Sequence, residues 1–246
     1  MRTIESYNWS GARIVDDVLP LLKPPAKKFT SVKASWRVPT VELIAGKAES
    51  LSAAWIGLDG GTWGLGKPAY VLQVGTYHQA TGPHPYFAFA GLDDGKGLAR
   101  GEPDPYSRFF KFDVKPSDLI RVQLTYDFGL HEAVADFKGS SPQPSTFSFK
   151  VYDPANIITG YTTEWVFERI STDNDSKNYN YAGRYHELGN HSHLDFNDAQ
   201  AQTDGGNWIS ADKGDSINML DVDDYPTLLT AGIVSRKVVE IKQRND

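Results

Sequence analysis

Short runs of alternating apolar and polar residues recur along this chain of 246 residues, and turn-forming segments separate them. Examples of the runs are "FTSVKASWRVP", "AYVLQVGTYH", "LIRVQLTYDF" and "YTTEWVFERIS". Segments rich in Gly, Pro and Asp, such as "GLDDGKGLARGEPDP" and "KGSSPQP", stand between such runs. Helical periodicity occurs in "VDDVLPLL", where Pro20 interrupts it. The pattern predicts an all-β sandwich or barrel.

Composition narrows the class of protein. A hydrophobic fraction of 40% and a charged fraction of 23% are typical of a globular chain. A net charge of −6 argues against nucleic-acid binding, which normally needs a basic face. The absence of cysteine excludes disulfides and thiolate metal sites. No internal repeat or linker is visible, so we predict one domain over residues 1–246.

The N-terminal residues and the apolar runs of the chain bear on its cellular location. No run of about 18 apolar residues is present, so we expect no membrane association. The start "MRTIESYNWSG" lacks the apolar stretch of a signal peptide. We therefore expect either an intracellular protein or a mature chain that carries a start methionine.

Strand parity places two polar residues on apolar strands. In "AYVLQVGTY", Gln73 shares a face with Val71, while Leu72 and Val74 form an apolar back. In "YTTEWVFERIS", Glu164 shares a face with Val166, and the alternate positions carry core aromatics. A buried amide or carboxylate costs free energy unless it has partners. A front-facing Gln and a front-facing Glu could therefore line one functional face.

Five stretches resemble the glutamic peptidase (eqolisin) family, in the family's order. They are "NWSGA" from Asn8, "SWRVP" from Ser35, "AAWIGLDG" from Ala53, "VLQVGT" from Val71 and "TTEWVFERI" from Thr162. Each motif alone is weak, but five in order, spanning most of residues 8–170, form a specific signal.

The resemblance implies a concanavalin A-like sandwich of two bent antiparallel sheets. It also implies an endopeptidase that uses neither metal, cofactor nor covalent intermediate, with Gln73 and Glu164 as the catalytic pair. Trp9, Trp55, Asp59 and Tyr86 correspond to supporting or substrate-contacting positions. A secreted, acid-active monomer that cleaves protein or peptide substrates is the expectation that follows.

Two departures from the family bear on the pH optimum. A family glutamate near the substrate corresponds to Ala88, and a family aspartate corresponds to Tyr77. Because neighbouring carboxylates raise the pKa of a glutamate, their replacement puts the strongly acidic optimum in question.

Chemistry gives the pair complementary roles. An ionised Glu164 can take a proton from water and return it to the leaving amine. Gln73 does not titrate, so we expect its amide to donate to the oxyanion and orient the water. Apolar neighbours Val71 and Val166 would keep the site dry and hold the pKa of Glu164 up.

Each assigned residue also has a structural alternative. Gln73 could be a satisfied structural amide, and Glu164 a carboxylate on a solvated strand face. Trp9 and Trp55 could be core residues, and Asp59, in "LDGG", could simply form a turn. We interpret Glu168 as structural or as ion-paired with a cross-strand lysine or arginine.

Two rival functions fit the same fold class. In a retaining glycosidase two carboxylates stand about 5–5.5 Å apart, whereas Glu164 and Glu168 are four strand residues, about 13 Å, apart. A catalytically diverged carbohydrate- or peptide-binding module is the remaining alternative. Its stacking residues would be aromatic: Trp9, Trp55, Trp63, Tyr77 and Tyr86.

A histidine-rich stretch, "HSHLDF", is the sequence's metal candidate. His191, His193 and Asp195 alternate on one strand face and offer nitrogen and oxygen ligands. The spacing is not a specific zinc signature, so we favour a solvent-facing polar strand and assign no metal.

Overall fold

The computed structural model describes residues 2–15, 27–43, 45–46, 50–60, 70–81, 86–93, 110–139, 145–153, 156–170, 188–220, 227–235 and 237–243. Trp63 and most of the "VDDVLPLL" segment lie outside these ranges. Eighteen strands are present in the described ranges: β1 (Thr3–Ser6), β2 (Trp9–Val15), β3 (Phe29–Arg37), β4 (Val41–Glu42), β5 (Leu51–Leu58), β6 (Val71–Gln79), β7 (Tyr86–Asp93), β8 (Phe110–Asp113), β9 (Leu119–Asp127), β10 (Glu132–Gly139), β11 (Ser145–Tyr152), β12 (Thr162–Arg169), β13 (Asn190–His191), β14 (Leu194–Thr203), β15 (Trp208–Ser210), β16 (Asp215–Leu220), β17 (Thr227–Ser235) and β18 (Val238–Gln243). One 3₁₀ turn, Ala211–Lys213, precedes β16.

Sixteen strands are hydrogen-bonded into one folded-over sheet. Their order is β11-β10-β9-β3-β14-β18-β17-β16-β2-β12-β5-β6-β7-β8, with β1 beside β16 and β15 beside β14. The pairs are antiparallel except for β1 with β16, and β4 with β13 forms a separate two-stranded sheet. We call β11-β10-β9-β3-β14 the β9 half and β16-β2-β12-β5-β6-β7-β8 the β12 half.

The main hydrophobic core lies between these halves. β3 packs against β5 and β12, β9 against β6, and β11 against β7. Trp36 from the β9 half and Trp165 from the β12 half are both fully buried there. Leu72 and Val74 lie in this core, as strand parity predicts. The all-β sandwich expected from the sequence is therefore confirmed.

The two halves differ on the faces that point away from the main core. Along β9, buried residues alternate with exposed or half-buried ones, as expected for a strand with one solvated face. Along β5 every residue is buried, and along β12 all but Glu168 are buried. The second face of the β12 half is therefore also withdrawn from water.

Two further predictions concern the whole chain. No helix in the described ranges is long and apolar enough to cross a membrane. Organisation of residues 1–246 as one domain stays a prediction.

Candidate active site

A row of directly opposed residues crosses six strands on the second face of the β12 half. Cross-strand partners point to the same side of a sheet, so the row can be followed from strand to strand by register. Its members are Asp215, Arg13, Glu164, Gly57, Gln73 and Gly91, in that order from β16 to β7. We call this set the polar row.

A carboxylate, Glu164, and an amide, Gln73, stand at the centre of the polar row. They stand on β12 and β6, and β5 lies between them. Two strand spacings separate their backbones by roughly 9–10 Å. Their relative exposures are 0% for Glu164 and 7% for Gln73. The structure therefore brings the two residues onto one buried face, as strand parity predicts.

Gly57 occupies the position between Glu164 and Gln73, opposite both. A side chain there would crowd its surroundings, because a Cβ would lie 2.9 Å from the Leu72 carbonyl oxygen and 2.9 Å from the Trp55 ring. The absence of a side chain at Gly57 leaves room for the Trp55 ring and the Val71 side chain, which lie beside this position.

An apolar row borders the polar row two residues along each strand. It consists of Ile217, Gly11, Val166, Trp55, Gly75 and Phe89. With Trp9, Ala53 and Val71, its larger side chains form a second hydrophobic cluster, distinct from the main core. The predicted apolar neighbours of the pair, Val71 and Val166, are thus both buried beside it.

Trp9 and Trp55 are anchored by one carboxylate. Their rings meet edge to face with centroids 4.8 Å apart. Trp9 Nε1 donates to Glu168 Oε1 at 3.1 Å, and Trp55 Nε1 donates to Glu168 Oε2 at 2.8 Å. Asn8 Nδ2 also donates to Oε1, at 3.4 Å. Glu168 therefore has a structural role, in which its carboxylate accepts hydrogen bonds from two indole N–H groups and one amide.

Trp55 lies across a glycine on the neighbouring strand. A Cβ at Gly75 would be 2.5 Å from the Trp55 Cβ, so only glycine leaves room for this packing. Trp55 is fully buried and Trp9 is 9% exposed. Both tryptophans therefore pack in a hydrophobic cluster, as their structural alternative has it, and their rings form a wall of the site.

Asp59 organises the backbone that precedes β12. Its carboxylate accepts the backbone N–H groups of Thr159, of Gly160 at 3.0 Å and of Tyr161 at 2.8 Å, and also the Thr159 hydroxyl at 3.1 Å. Burial raises the pKa of Asp59, and these hydrogen bonds act in the opposite direction. Asp59 itself has a φ of 72°. This geometry favours the turn-forming interpretation, in which Asp59 fixes the approach to Glu164.

Tyr86 does not join the polar row. It stands opposite His78 and therefore faces the same way as Leu72 and Val74, toward the main core and away from Gln73. Its hydroxyl oxygen accepts the Val41 N–H at 3.0 Å. The structure therefore does not place Tyr86 beside Gln73, because the two residues point to opposite sides of the sheet.

The same offset applies to Ala88. It stands opposite Thr76 and is fully buried in the main core, so a carboxylate at this position would not face Gln73. The β7 residues that share the Gln73 face include Gly91, Phe89 and Phe87, and the Phe87 ring stacks on Tyr77 with centroids 4.6 Å apart. Two stacked aromatic rings therefore lie on this face at one end of the second cluster.

Sequence reasoning missed Arg13 and Asp215. Arg13 stands directly opposite Glu164, and its Nε lies 3.9 Å from Asp215 Oδ2. Both residues are buried, at 9% relative exposure each. Burial lowers the pKa of Arg13, while the charges of Asp215 and Glu164 raise it. The parity of "WSGAR" on β2, which puts Trp9 and Arg13 on one face, could have revealed Arg13.

A separate polar chain lies behind β6, on the core side. Trp36 Nε1 donates to Thr76 Oγ1 at 3.0 Å, and Thr76 Oγ1 lies 2.9 Å from His78 Nε2. Ser52 Oγ lies 3.2 Å from His78 Nδ1. We assign the Thr76 hydroxyl proton to the bond with Nε2, which places the ring proton on Nδ1. Burial, together with the nearby His191, lowers the pKa of His78 to about 3.

The candidate metal ligands regroup in the structure. His193 Nε2 lies 3.0 Å from Asp195 Oδ2 and 3.7 Å from Glu240 Oε1. His191 instead donates from Nδ1 to the Ser192 carbonyl oxygen at 2.9 Å. Zn²⁺ accepts such nitrogen and oxygen donors, but Lys242 Nζ is 2.8 Å from the other Glu240 oxygen. We therefore interpret this group as ion pairs and assign it no metal.

Comparison with known proteins connects this face to a described family. The sequence profile of the Peptidase A4 family matches residues 7–243. No curated protein sequence matches the chain.

Solved structures with the same fold cover nearly the whole chain. Scytalido-glutamic peptidase with a peptide-based transition state analog has a TM-score of 0.70 and 18% identity, covering 97% of this chain and 98% of its own. SCP-B, a member of the eqolisin family in complex with the tripeptide Ala-Ile-His, has a TM-score of 0.66 and 18% identity, with the same coverage. At these identities the likeness establishes the fold.

Proposed function

The chain belongs to the Peptidase A4 family and is thus a peptidase, and we propose that it is an endopeptidase whose catalytic pair is Glu164 and Gln73. The observation that carries the proposal is their place in the polar row. The carboxylate and the amide stand opposite the same glycine, Gly57, on one buried face. Protein and peptide chains are the substrates.

Glu164 acts as the general base in this proposal. In its ionised form it removes a proton from a water molecule that attacks the carbonyl carbon of the scissile bond. The protonated carboxyl then gives that proton to the departing nitrogen, so one group serves both steps. The Glu164 side chain has 0% exposure, so its charge acts in a setting of low dielectric constant.

Gln73 supplies the complementary function. The Nε2–H groups donate to the oxyanion as the tetrahedral intermediate forms, and the Oε1 atom accepts a hydrogen bond from the attacking water. Because the amide is not ionisable, this contribution is independent of pH. In this proposal the water and the scissile bond meet the two groups beside Gly57, which stands opposite both.

The other predicted site residues support the pair from a distance. Trp9 and Trp55 form the apolar wall that Glu168 anchors, and Asp59 fixes the backbone leading into β12. Tyr86 has no place in the proposal because it faces the main core. The acid optimum, secretion and monomeric state that the family resemblance implies stay predictions.

The binding-module alternative is not favoured by any observation on the described residues. Trp9 and Trp55 are buried with their N–H groups bound to Glu168, and Tyr77 stacks on Phe87. A sugar-stacking platform needs exposed ring faces. Tyr86 points into the main core, and Trp63 lies outside the described residues.

The test is hydrolysis of denatured casein, assayed from acid to neutral pH. We expect Glu164→Gln to lower kcat by about 10²–10⁴-fold and Gln73→Ala by about 10²–10³-fold. Glu132→Gln and Gln123→Ala are matched controls on the β9 half, where both residues are at least partly exposed. If both site variants keep the wild-type rate, the catalytic pair is wrong.

A further inference from the structure

We propose that Arg13, held in place by Asp215, is a positioning residue that keeps Glu164 in the ionised form required of a base. The role builds on the proposed function, because ionised Glu164 is the base of that mechanism. Arg13 touches neither substrate nor reacting atoms in this proposal. It acts through the charge it places beside Glu164.

Register puts Arg13 next to Glu164 on the same face of the sheet. Arg13 and Glu164 are direct cross-strand partners on β2 and β12, so their Cβ atoms lie about 5 Å apart on the same face. On its other side Arg13 stands opposite Asp215 of β16. The three charges thus alternate in sign along the polar row, as Asp215, Arg13 and Glu164.

Asp215 is itself tied to the start of the chain. Its Oδ1 accepts the Arg2 backbone N–H at 3.2 Å, and its Oδ2 lies 3.1 Å from Arg2 Nη2. Arg13 Nε lies 3.9 Å from the same Oδ2. The parallel pairing of β1 with β16 holds this arrangement. Asp215 therefore places a negative charge beside the Arg13 guanidinium at the edge of the site.

Among the described residues, Arg13 is the cation that stands next to Glu164 on this face. Two rows away on β12 itself, Glu168 is bound by indole N–H groups. The carboxylate of Asp59, which follows β5, faces the backbone of residues 159–161. Within the described ranges, the titratable and charged groups on the elements packed around Glu164 are Arg13 on β2, Asp215 on β16, Tyr77 on β6, Glu168 on β12, Asp59 after β5 and Arg2 beside Asp215.

The physical need for such a partner follows from burial. Removing an ionised carboxylate from water is costly, and the group would otherwise bind a proton and lose its function as a base. An opposite charge within about 4–6 Å offsets that cost by favouring the ionised form. The position that makes Glu164 dry therefore also makes it dependent on Arg13.

The test follows the ionisation of Glu164 directly, so that it does not depend on catalysis. Glutamate is labelled with ¹³C at Cδ, and the Glu164 resonance is identified as the one absent from Glu164→Gln. Its titration midpoint is then measured in the wild type, Arg13→Met and Arg13→Lys. We expect Arg13→Met to raise the midpoint by about one to two pH units, and Arg13→Lys to restore most of that change.

Controls separate charge from packing. Arg169→Met removes a buried arginine from β12 whose side chain faces away from Glu164 by strand parity, and it should leave the midpoint unchanged. Arg13→Gln is a second neutral variant for the case in which Arg13→Met does not fold. An unchanged midpoint in both neutral variants, or an equal rise in Arg13→Lys, would overturn the proposal.

Kinetics then distinguish this proposal from the proposed function. In active enzyme, the acidic limb of the kcat/KM profile should move up with the Glu164 midpoint in Arg13→Met. If Glu164→Gln hydrolyses casein at the wild-type rate, the catalytic assignment fails, while the titration still decides whether Arg13 sets the ionisation of Glu164. A uniform fall in rate without a shifted limb contradicts the role of Arg13.

Discussion

The β9 half and the β12 half are built from similar strands but treat their polar side chains differently. On β9 and β10 the face away from the core carries Arg121, Gln123, Asp136 and Lys138, all exposed. On β12 and β6 the corresponding face carries Glu164 and Gln73, both buried. The first face is an ordinary solvated sheet surface, whereas the second withdraws a carboxylate and an amide from water.

The comparison indicates that the candidate active site lowers stability, because its polar groups are buried. A polar group that stays in water during folding costs little, whereas a buried one must find partners within the protein. The β12 half meets this cost with alternating charges along the polar row, with indole donors at Glu168 and with a hydroxyl–imidazole chain at His78. Buried polar groups are therefore concentrated in the half that carries the candidate active site.

The largest expected effect concerns His78 and pH. Its pKa is about 3 in the folded protein, against an ordinary value of 6.5. Below pH 6.5 the unfolded chain binds a proton that folded His78 does not bind, so stability falls with pH until about pH 3. The expected loss is roughly 4 kcal/mol across that interval.

Urea unfolding of the wild type and His78→Gln, followed by tryptophan fluorescence at several pH values, measures this loss. Glutamine can still accept from Thr76 and donate to Ser52, so the variant keeps the hydrogen-bond pattern without a titrating ring. The wild type should lose stability relative to the variant as the pH falls. Parallel pH dependences would mean that His78 is not held neutral and that this half carries no such cost.

The next effect concerns Gly57, which stands between Glu164 and Gln73. A Cβ at this position would lie 2.9 Å from the Leu72 carbonyl oxygen and 2.9 Å from the Trp55 ring, so the groups around the pair would have to shift. Because misplacement of reacting groups by about 1 Å can cost 10²-fold, we expect Gly57→Ala to lower kcat by about 10²-fold. The readout is kcat for casein hydrolysis at a temperature at which the variant remains folded.

Gly232→Ala provides the matched control for Gly57→Ala. Gly232 lies on β17, and a Cβ there would have no atom within 4 Å. This variant should keep the wild-type rate. Full activity of folded Gly57→Ala would show that the space opposite Glu164 and Gln73 is not where the substrate binds.

Much of this arrangement follows from the alternation of side chains within single strands. Parity alone put Gln73 and Leu72 on opposite faces, and the structure agrees. Register between strands is a different matter, because it depends on turns and on distant pairing. The sequence patterns therefore did not reveal that Tyr86 and Ala88 face away from Gln73, since an offset of one residue on β7 reverses every side chain.

Partners from distant parts of the chain were also beyond the sequence patterns. Glu168 was interpreted as structural or ion-paired, but the pattern did not identify its donors Trp9 and Trp55, which are far away in sequence. Arg13 was overlooked because its opposition to Glu164 exists only after β2 pairs with β12. A single strand reveals which face a residue occupies, but not which residue stands beside it.

The smallest of the three effects compares one substitution in the two halves, Glu168→Gln and Glu132→Gln. Glu168 accepts indole N–H groups on both carboxylate oxygens. Glutamine has one acceptor oxygen, so its NH₂ group would face an indole donor. We expect Glu168→Gln to lower the free energy of unfolding by about 1.5–3 kcal/mol, the range for hydrogen bonds to a charged group.

Glu132, in contrast, pairs with Lys150 at 3.4 Å across β10 and β11, and the Lys150 side chain is 72% exposed. Water replaces such a partner easily, so Glu132→Gln should change the free energy of unfolding by less than about 0.5 kcal/mol. Both variants are measured by urea unfolding in the same buffer at neutral pH. Equal losses would remove the energetic distinction between the halves, because the chemical change is identical and only the surroundings differ.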